Sequence, residues 1–505
     1  MSDVRMAGKR QVSLTLLSAM VVQLCNVVVA LALPRLLIAT YGSDLNGITS
    51  AASQFAQYLT LMETSITAAT CYQFIELKKR GDYVELNNLF VTISDFYKKI
   101  SIIIAFIAVV FAVGYAATAK TAVGLVEVII IFLLYEGIYV LSYFSFYKYN
   151  FMLYADGKQY YIAFSSVVTT IISFIIKIFL IRAKVSILLI LVIGICIDVI
   201  RLIDIRRKVR REFKYINKKT AVIKPAMLSE KWDSFVMSIS DSVKSMVPTV
   251  CISIRFGASF VSVCSVYQTV MHVGNSIITM CLNGLLPVIG ASLTEKDEKA
   301  QSLFRIIFVV VVSLSTIICT CLCGMMMYFI KIYISNSDIS YTYPLLAFIL
   351  VANTWFLMIR LPFDMLIKAF GRIRELRNGC IAEIIITVAC SLIFLAFSRF
   401  ELVLAGSLIA SICRTFRMMR FCIEEIGIDE KRKLVWDFLF WFVYVVFSCA
   451  AAYLILPQEG SIFNFVLTAA QVFVVVATVT IAVDVLRYPQ IRVFGKNVIR
   501  KVFYK

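Results

Sequence analysis

Apolar stretches recur from one end of the chain to the other, and each is about twenty residues long, enough to cross a bilayer as a helix. That repetition confines the chain to one architecture, an all-α polytopic membrane protein. Hydrophobic residues make up 61% of the 505 and charged residues 16%, where a soluble chain carries about a quarter. Length alone suggests several soluble domains. The hydropathy overrides that inference and leaves one membrane domain with short loops. Fourteen transmembrane helices are expected, near 11–38, 48–75, 89–117, 123–147, 159–181, 186–205, 233–254, 259–289, 303–332, 343–369, 375–397, 401–421, 436–456 and 462–486. The first is too long for a signal-peptide core and no small-residue cleavage site follows it, so it is expected to stay as a span.

An even count places both termini on one side, and the positive-inside rule makes that side cytoplasmic. With this orientation the outside segments hold only Lys120, Arg182, Lys184, Arg255, Lys331 and Arg399 of the 50 Lys and Arg. The inside segments hold nearly all the rest, including the run from Arg206 to Lys219 and the cluster Arg414, Arg417 and Arg420. The net charge of +19 therefore sits beside anionic headgroups, where cations are favoured. It does not indicate nucleic acid. The 14 cysteines lie mostly inside spans. Cys319, Cys321 and Cys323 do not share one helix face, and no His cluster accompanies them. Neither a metal site, a disulfide framework nor a cofactor is expected.

The long basic loop after the sixth span divides the chain into an N-lobe (1–208), a cytoplasmic inter-lobe loop (209–232), a C-lobe (233–435) and a final segment with two helices and a basic tail (436–505). Paired motifs support the division. Gln54 and Gln268 are 214 positions apart, as are Ala155 and Ala369, Gly157 and Gly371, and Lys158 and Arg372; Gly42 and Gly257 are 215 apart. Six helices per copy gives both copies the same orientation, so two pseudo-symmetric lobes are expected about an axis along the membrane normal, as in parallel-repeat transporters.

Charges within spans are costly and mark a cavity or a partner. Four cations qualify. Arg35 and Lys177 lie toward the outer ends of their helices and either snorkel to headgroups or line a cavity. Lys244 and Arg360 lie about 15–18 Å from their cytoplasmic helix ends at helical rise, near the middle of a core about 30 Å thick. Two readings stay open for them. Asp241 precedes Lys244 by three and Asp364 follows Arg360 by four, both suited to an ion pair on a helix. Alternatively the cations form a site for a phosphate, which the planar fork of Arg suits. Glu63 and Glu383 lie near mid-span and either carry a coupling proton or Na⁺ or partner a cation. Asn26, Gln54, Gln57 and Gln268 either hydrogen-bond sugar hydroxyls or join helices.

The first spans carry a pattern: Pro34-Arg35-Leu36-Leu37, Tyr41-Gly42-Ser43, Leu45-Asn46-Gly47, Gln54-Phe55, Tyr58-Leu59 and Glu63, then Phe96-Tyr97-Lys98-Lys99-Ile100 and Asp156-Gly157-Lys158-Gln159-Tyr160. It resembles the bacterial polysaccharide (Wzx-type) flippases, in the MATE-like flippase superfamily that also holds the lipid II flippase. The resemblance implies two six-helix bundles around a central cavity in a bacterial plasma membrane, working by alternating access. Its implied cargo is an isoprenoid-pyrophosphate-linked oligosaccharide of the undecaprenyl type, with membrane lipids and polysaccharide-assembly proteins as partners. A MATE-like ion-coupled exporter of small molecules is the competing reading and needs a net-negative cavity. An intramembrane enzyme of polysaccharide assembly needs a large outside or catalytic loop, and none is present. A Walker loop and the common hydrolase motifs are also missing, so the chain reads as a transporter and not an enzyme.

Overall fold

The computed structural model describes residues 2–213, 221–224, 246–293, 298–334, 337–369, 372–425, 431–457 and 459–488. Among the described residues the chain is helical, with no strand. In order the helices are α1 (Ser2–Tyr41), α2 (Ser43–Arg80), α3 (Tyr83–Thr118), α4 (Leu125–Ser145), α5 (Tyr147–Ala155), α6 (Gln159–Arg182), α7 (Ile187–Glu212), α8 (Met246–Arg255) and α9 (Ala258–Leu293). Then follow α10 (Glu298–Tyr333), α11 (Pro344–Ala369), α12 (Ile373–Phe394), α13 (Glu401–Glu425), α14 (Lys431–Ile455) and α15 (Ile462–Arg487). Ten helices among the described residues are long and apolar enough to cross a membrane. The chain is a multi-pass membrane protein. The short α5, carrying Lys148 between α4 and α6, was not expected from hydropathy.

Local chemistry sets the helix ends. Gly42, between α1 and α2, has φ 88°, and Gly257, between α8 and α9, has φ 113°. Both lie in the region that disfavours a side chain. The two members of this sequence pair thus make the same kind of turn. Asp82 caps α3 by accepting from the Glu85 N–H at 3.0 Å, the bond such a residue supplies at a helix start. Pro34 lies inside α1 and Pro362 inside α11. Neither has an N–H to give back to its helix, and membrane helices tolerate this where neighbours re-satisfy the freed carbonyl.

Contacts divide the chain into two units, Met1–Val266 and Tyr267–Lys505. In the first unit, α3 and α7 pack against α4, α2 packs against α4 and α5, and α1 lies on α6. One end of the core is aromatic, with Phe74, Phe90, Tyr97, Tyr143, Tyr147, Tyr149 and Phe213 in one buried cluster. The segment 221–224 lies along α3: the Val222 N–H donates to Asn88 Oδ1 at 2.8 Å and the Lys224 N–H to Thr92 Oγ1 at 2.8 Å. Outward faces are apolar, as with Ile102, Phe106, Val110 and Val113 of α3. An apolar surface of this extent suits lipid rather than water.

In the second unit α10 is the most buried of the membrane-length helices and α15 among the least. α11, α14 and α15 all pack on α10. Polar contacts hold the two C-terminal helices there. Arg305 of α10 and Arg487 of α15 both pair with the buried Asp437 of α14, at 3.2 and 3.3 Å. Ser313 of α10 donates to Asp484 of α15 at 2.9 Å. Gly324 lets α14 approach: a Cβ there would lie 2.5 Å from Leu456 Cδ1 and 2.9 Å from Ala452 Cβ. Gly324→Leu is expected to over-pack this contact by about 1–3 kcal/mol and to lower the Tm of the purified protein by several degrees. Gly114→Leu on α3, where a Cβ meets nothing within 4 Å, should not lower it.

Candidate functional site

Three helices of the second unit bring four charges together. Arg360 stands in the middle of α11, Glu383 on α12 and Arg414 on α13. All three side chains are buried, with Glu383 only 1% exposed. Arg360 Nη1 donates to Glu383 Oε1 at 3.1 Å and Oε2 at 3.4 Å. Arg414 Nη1 donates to the same Oε2. Asp364, one turn after Arg360, completes the group at 3.8 Å from Arg360 Nε and 4.0 Å from Arg414 Nη2. Two guanidiniums and two carboxylates sum to zero formal charge. That balance lets them sit where an isolated charge would be costly. On the same helix, Thr387 Oγ1 donates to the Glu383 backbone carbonyl at 2.8 Å. Ser411 Oγ lies 3.5 Å from Glu383 Oε1 and donates to Asn353 Oδ1 at 2.7 Å. Arg360 Nε and Asp364 Oδ1 are buried and have no hydrogen-bond partner among the described residues. They are spare valences inside the cluster, and Arg414 Nε is a third.

Sequence spacing pointed to Asp364 as the partner of Arg360. The structure places Asp364 beside it, but the short contact goes to Glu383, 23 positions away on another helix. Glu383 is thus held by two cations. Arg414 was grouped with the cytoplasmic loop cations, and the structure buries it. The signal was present: Arg414 falls well within the apolar segment 401–421, about 10 Å from its end at helical rise, and Ser411 and Thr415 flank it on the same helix.

The other expected residues lie elsewhere. Arg35 and Asn26 are exposed on α1. Lys177 of α6 lies against α7 at Gly194, where a Cβ would meet its Cε at 3.3 Å. Asp198 stands one turn further along α7, 3.9 Å from Arg201, which reaches Ser166 at 3.4 Å. Gln54 of α2 accepts from Thr249 of α8 at 3.1 Å. Gln268 is half-buried on α9. Lys244 and Asp241, and the side chains of Gln57 and Glu63, lie outside the described residues.

A second constellation forms in the first unit where α2 starts against α8 and α9. Asp44 Oδ1 accepts from Ser259 Oγ at 2.8 Å, and its Oδ2 from Thr121 Oγ1 and the Ala122 N–H, both at 2.6 Å. Asn46 Nδ2 donates to Ser262 Oγ at 2.6 Å, with both residues buried. Gly47 meets the backbone of α9 so closely that a Cβ would lie 1.8 Å from the Ala258 carbonyl oxygen. The Lys120 N–H donates to the Ser253 carbonyl at 3.2 Å, and the Ala258 N–H to the Lys120 carbonyl at 2.9 Å. Ser253 Oγ donates to the Tyr115 hydroxyl at 2.7 Å. Asp44 and Ser259 are 215 positions apart, the same offset as Gly42 and Gly257.

No protein-family model matches the chain, and no curated protein matches it by sequence. Solved structures do match. The lipid II flippase MurJ in an inward closed conformation aligns at a TM-score of 0.70 and 14% identity, over 93% of this chain and 100% of that one. An inward-facing multidrug resistance MATE family transporter of the MOP superfamily aligns at 0.57 and 14%, over 82% and 95%. The MATE transporter VcmN of Vibrio cholerae aligns at 0.55 and 14%, over 83% and 99%. The fold is that of the MurJ flippase and the MATE transporters. These neighbours are flippases and transporters, not enzymes.

The α11–α13 cluster makes a direct prediction. Glu383→Gln leaves two buried guanidiniums with Asp364 as their remaining anion, and a buried pair that loses one partner costs about 3–5 kcal/mol. Membrane abundance and Tm of this variant should fall sharply. Adding Arg414→Gln should restore most of both. Wild-type abundance for Glu383→Gln alone would show that the carboxylate does not hold the cluster.

Proposed function

We propose that the chain is a flippase that carries an isoprenoid-pyrophosphate-linked oligosaccharide from the inner to the outer leaflet of a bacterial plasma membrane, by alternating access, for cell-surface polysaccharide synthesis. One observation carries this reading over a MATE-like exporter. The fold aligns with all of the MurJ chain and 93% of this one, whereas the MATE structures reach 82–86%. The difference is about a tenth of the chain, comparable to α14 and α15 together. Those helices are built onto α10 by buried polar bonds. The Wzx-like motifs around Arg35, Gly42 and Gln54 support an oligosaccharide cargo over other lipid-linked ones.

In this reading fourteen helices span the membrane with both termini cytoplasmic. Residues 1–208 and 233–435 form the two lobes around a central cavity. The α2–α9 contact at Asp44, Asn46 and Gly47 is the closed outer end of the pathway. Arg360 and Lys244, with Arg35 and Lys177, offset the cost of bringing a doubly charged pyrophosphate to membrane depth. Asn26, Gln54, Gln57 and Gln268 contact sugar hydroxyls. The unused Arg360 Nε supports a cargo role, because a guanidinium with a free donor can take a phosphate oxygen before it leaves Glu383. Asp241 and Asp364 hold the cations when cargo is absent. Glu63 and Glu383 are the coupling candidates by sequence, and the two arginines on Glu383 favour Glu63 of that pair.

Two measurements test this. Deletion of the gene should leave undecaprenyl-linked oligosaccharide on the inner face, seen by lipid extraction and by its inaccessibility to a periplasmic ligase. Retention of a small cationic compound instead would favour the exporter. The charge-balanced pair Arg360→Gln with Glu383→Gln should keep near-normal abundance yet lose export by at least about tenfold, the effect of losing roughly 1.4 kcal/mol or more of cargo stabilisation. Normal export by that pair would make Arg360 a purely structural partner.

A further inference from the structure

Glu136 is the one acid in the middle of α4 that the cargo mechanism does not use. It lies eleven positions after Leu125, the first residue of α4, about 16 Å down the helix at helical rise. It shares a buried stripe with Val128, Phe132 and Tyr143 and is 1% exposed. Both carboxyl oxygens are buried and neither has a hydrogen-bond partner among the described residues. A carboxylate there would lack water and any donor from the described residues, a cost of several kcal/mol. The neutral acid avoids it.

Other charged and titratable groups approach α4 without pairing with Glu136. α7 contributes Asp198 and Arg201, which pair with each other at 3.9 Å beside Tyr139. α3 contributes Tyr97, against Tyr143, and Tyr115, against Phe132. α5 contributes Lys148, whose Nζ donates to the Phe144 carbonyl at 3.0 Å. α4 itself adds Tyr135 and Tyr139. On α2, Glu63 belongs to the stretch whose side chains lie outside the described residues.

A continuous packed route joins Glu136 to the α2–α9 contact. Phe132 stands one turn away on the same face, and its ring lies 4.6 Å from that of Tyr115. Tyr115 accepts from Ser253 of α8. The loop that opens α4 supplies Thr121 and Ala122 to Asp44, and Lys120 to α8 and α9. Any shift of α4 that hydrates Glu136 therefore pulls on the groups that hold this end closed.

We propose that Glu136 is a proton-binding site whose occupancy favours closure of the α2–α9 end, and whose proton release favours opening. This rests on the alternating-access reading but not on the identity of the cargo. In the step, a carboxylate takes one proton from water to become a carboxylic acid, and returns it when the end opens. A ligand that binds one of two states more tightly shifts their populations by that difference.

Two readouts test it without cargo. The first is infrared spectroscopy of the purified full-length protein in lipid. Wild type minus Glu136→Gln should show the C=O stretch of a buried protonated carboxyl at neutral pH, fading as pH rises. Absence of that band at neutral pH overturns the proposal. The second is the labelling rate of Ser262→Cys by a maleimide. In the otherwise wild-type background labelling should rise with pH more than thiol ionisation requires. With Glu136→Gln added, only the thiol's own pH dependence should remain. Equal pH dependence in both backgrounds overturns the link to closure. Fast labelling at every pH in both backgrounds contradicts the closed-end reading itself, and the infrared band then decides protonation alone. Glu136→Asp, which keeps the proton but shortens the side chain, should retain both signals if Glu136→Gln is poorly expressed.

Discussion

A hydrocarbon interior offers no water to a buried charge or a broken backbone bond, and the arrangement of this protein follows from that. Backbone groups are satisfied within long helices. Charges at depth are neutralised by groups on other helices, and the cluster of Arg360, Glu383, Arg414 and Asp364 is the fullest case. It ties α11, α12 and α13 through one carboxylate held by two guanidiniums. Because the four charges cancel, the cluster can be stable by itself and still present a guanidinium with an unused donor. On the proposed function that donor is what the cluster would offer a phosphate, where lone cations would be too costly to keep empty.

The same constraint explains the second constellation. Asp44, Asn46 and Gly47 start α2 directly against the start of α9, so polar groups there bond across helices instead of to solvent. The contact is compact because Gly47 has no side chain, and among the described residues it consists of hydrogen bonds. On the proposed function this is the end of the pathway that is shut here and must reopen. The C-terminal helices α14 and α15 are different. They are fixed to α10 by Asp437, Asp484 and the close approach at Gly324, and their outer faces are apolar.

Much of the fold was legible in the sequence, because hydropathy reports helix length directly. The expected segments 159–181, 343–369 and 462–486 differ from α6, α11 and α15 by a residue or so at each end. Short α5 escaped because its nine residues are too few for a hydropathy window. The pairing of Gly42 with Gly257 was readable, and both turn with positive φ. That Asp44 and Ser259, at the same offset, touch was not readable, since sequence spacing does not fix proximity. Within the site, Arg360 and Glu383 were each legible as charges at depth. Their bond was not, because only local spacings of three or four can be read along one helix. Arg414 was missed because charges near a helix end read as loop anchors. Glu136 stands within the expected segment 123–147, but that no described residue bonds to it is a property of packing, which the sequence does not carry.

On the proposed function, α2 and α9 close one end of a pathway that must open for transport. The most direct test is a disulfide between Asp44→Cys and Ser259→Cys in a background without other cysteines, formed in intact membranes. The bridge should form readily, stop export and hold lipid-linked oligosaccharide on the inner face, and export should return on reduction. Export that continues with the bridge fully formed would contradict the account.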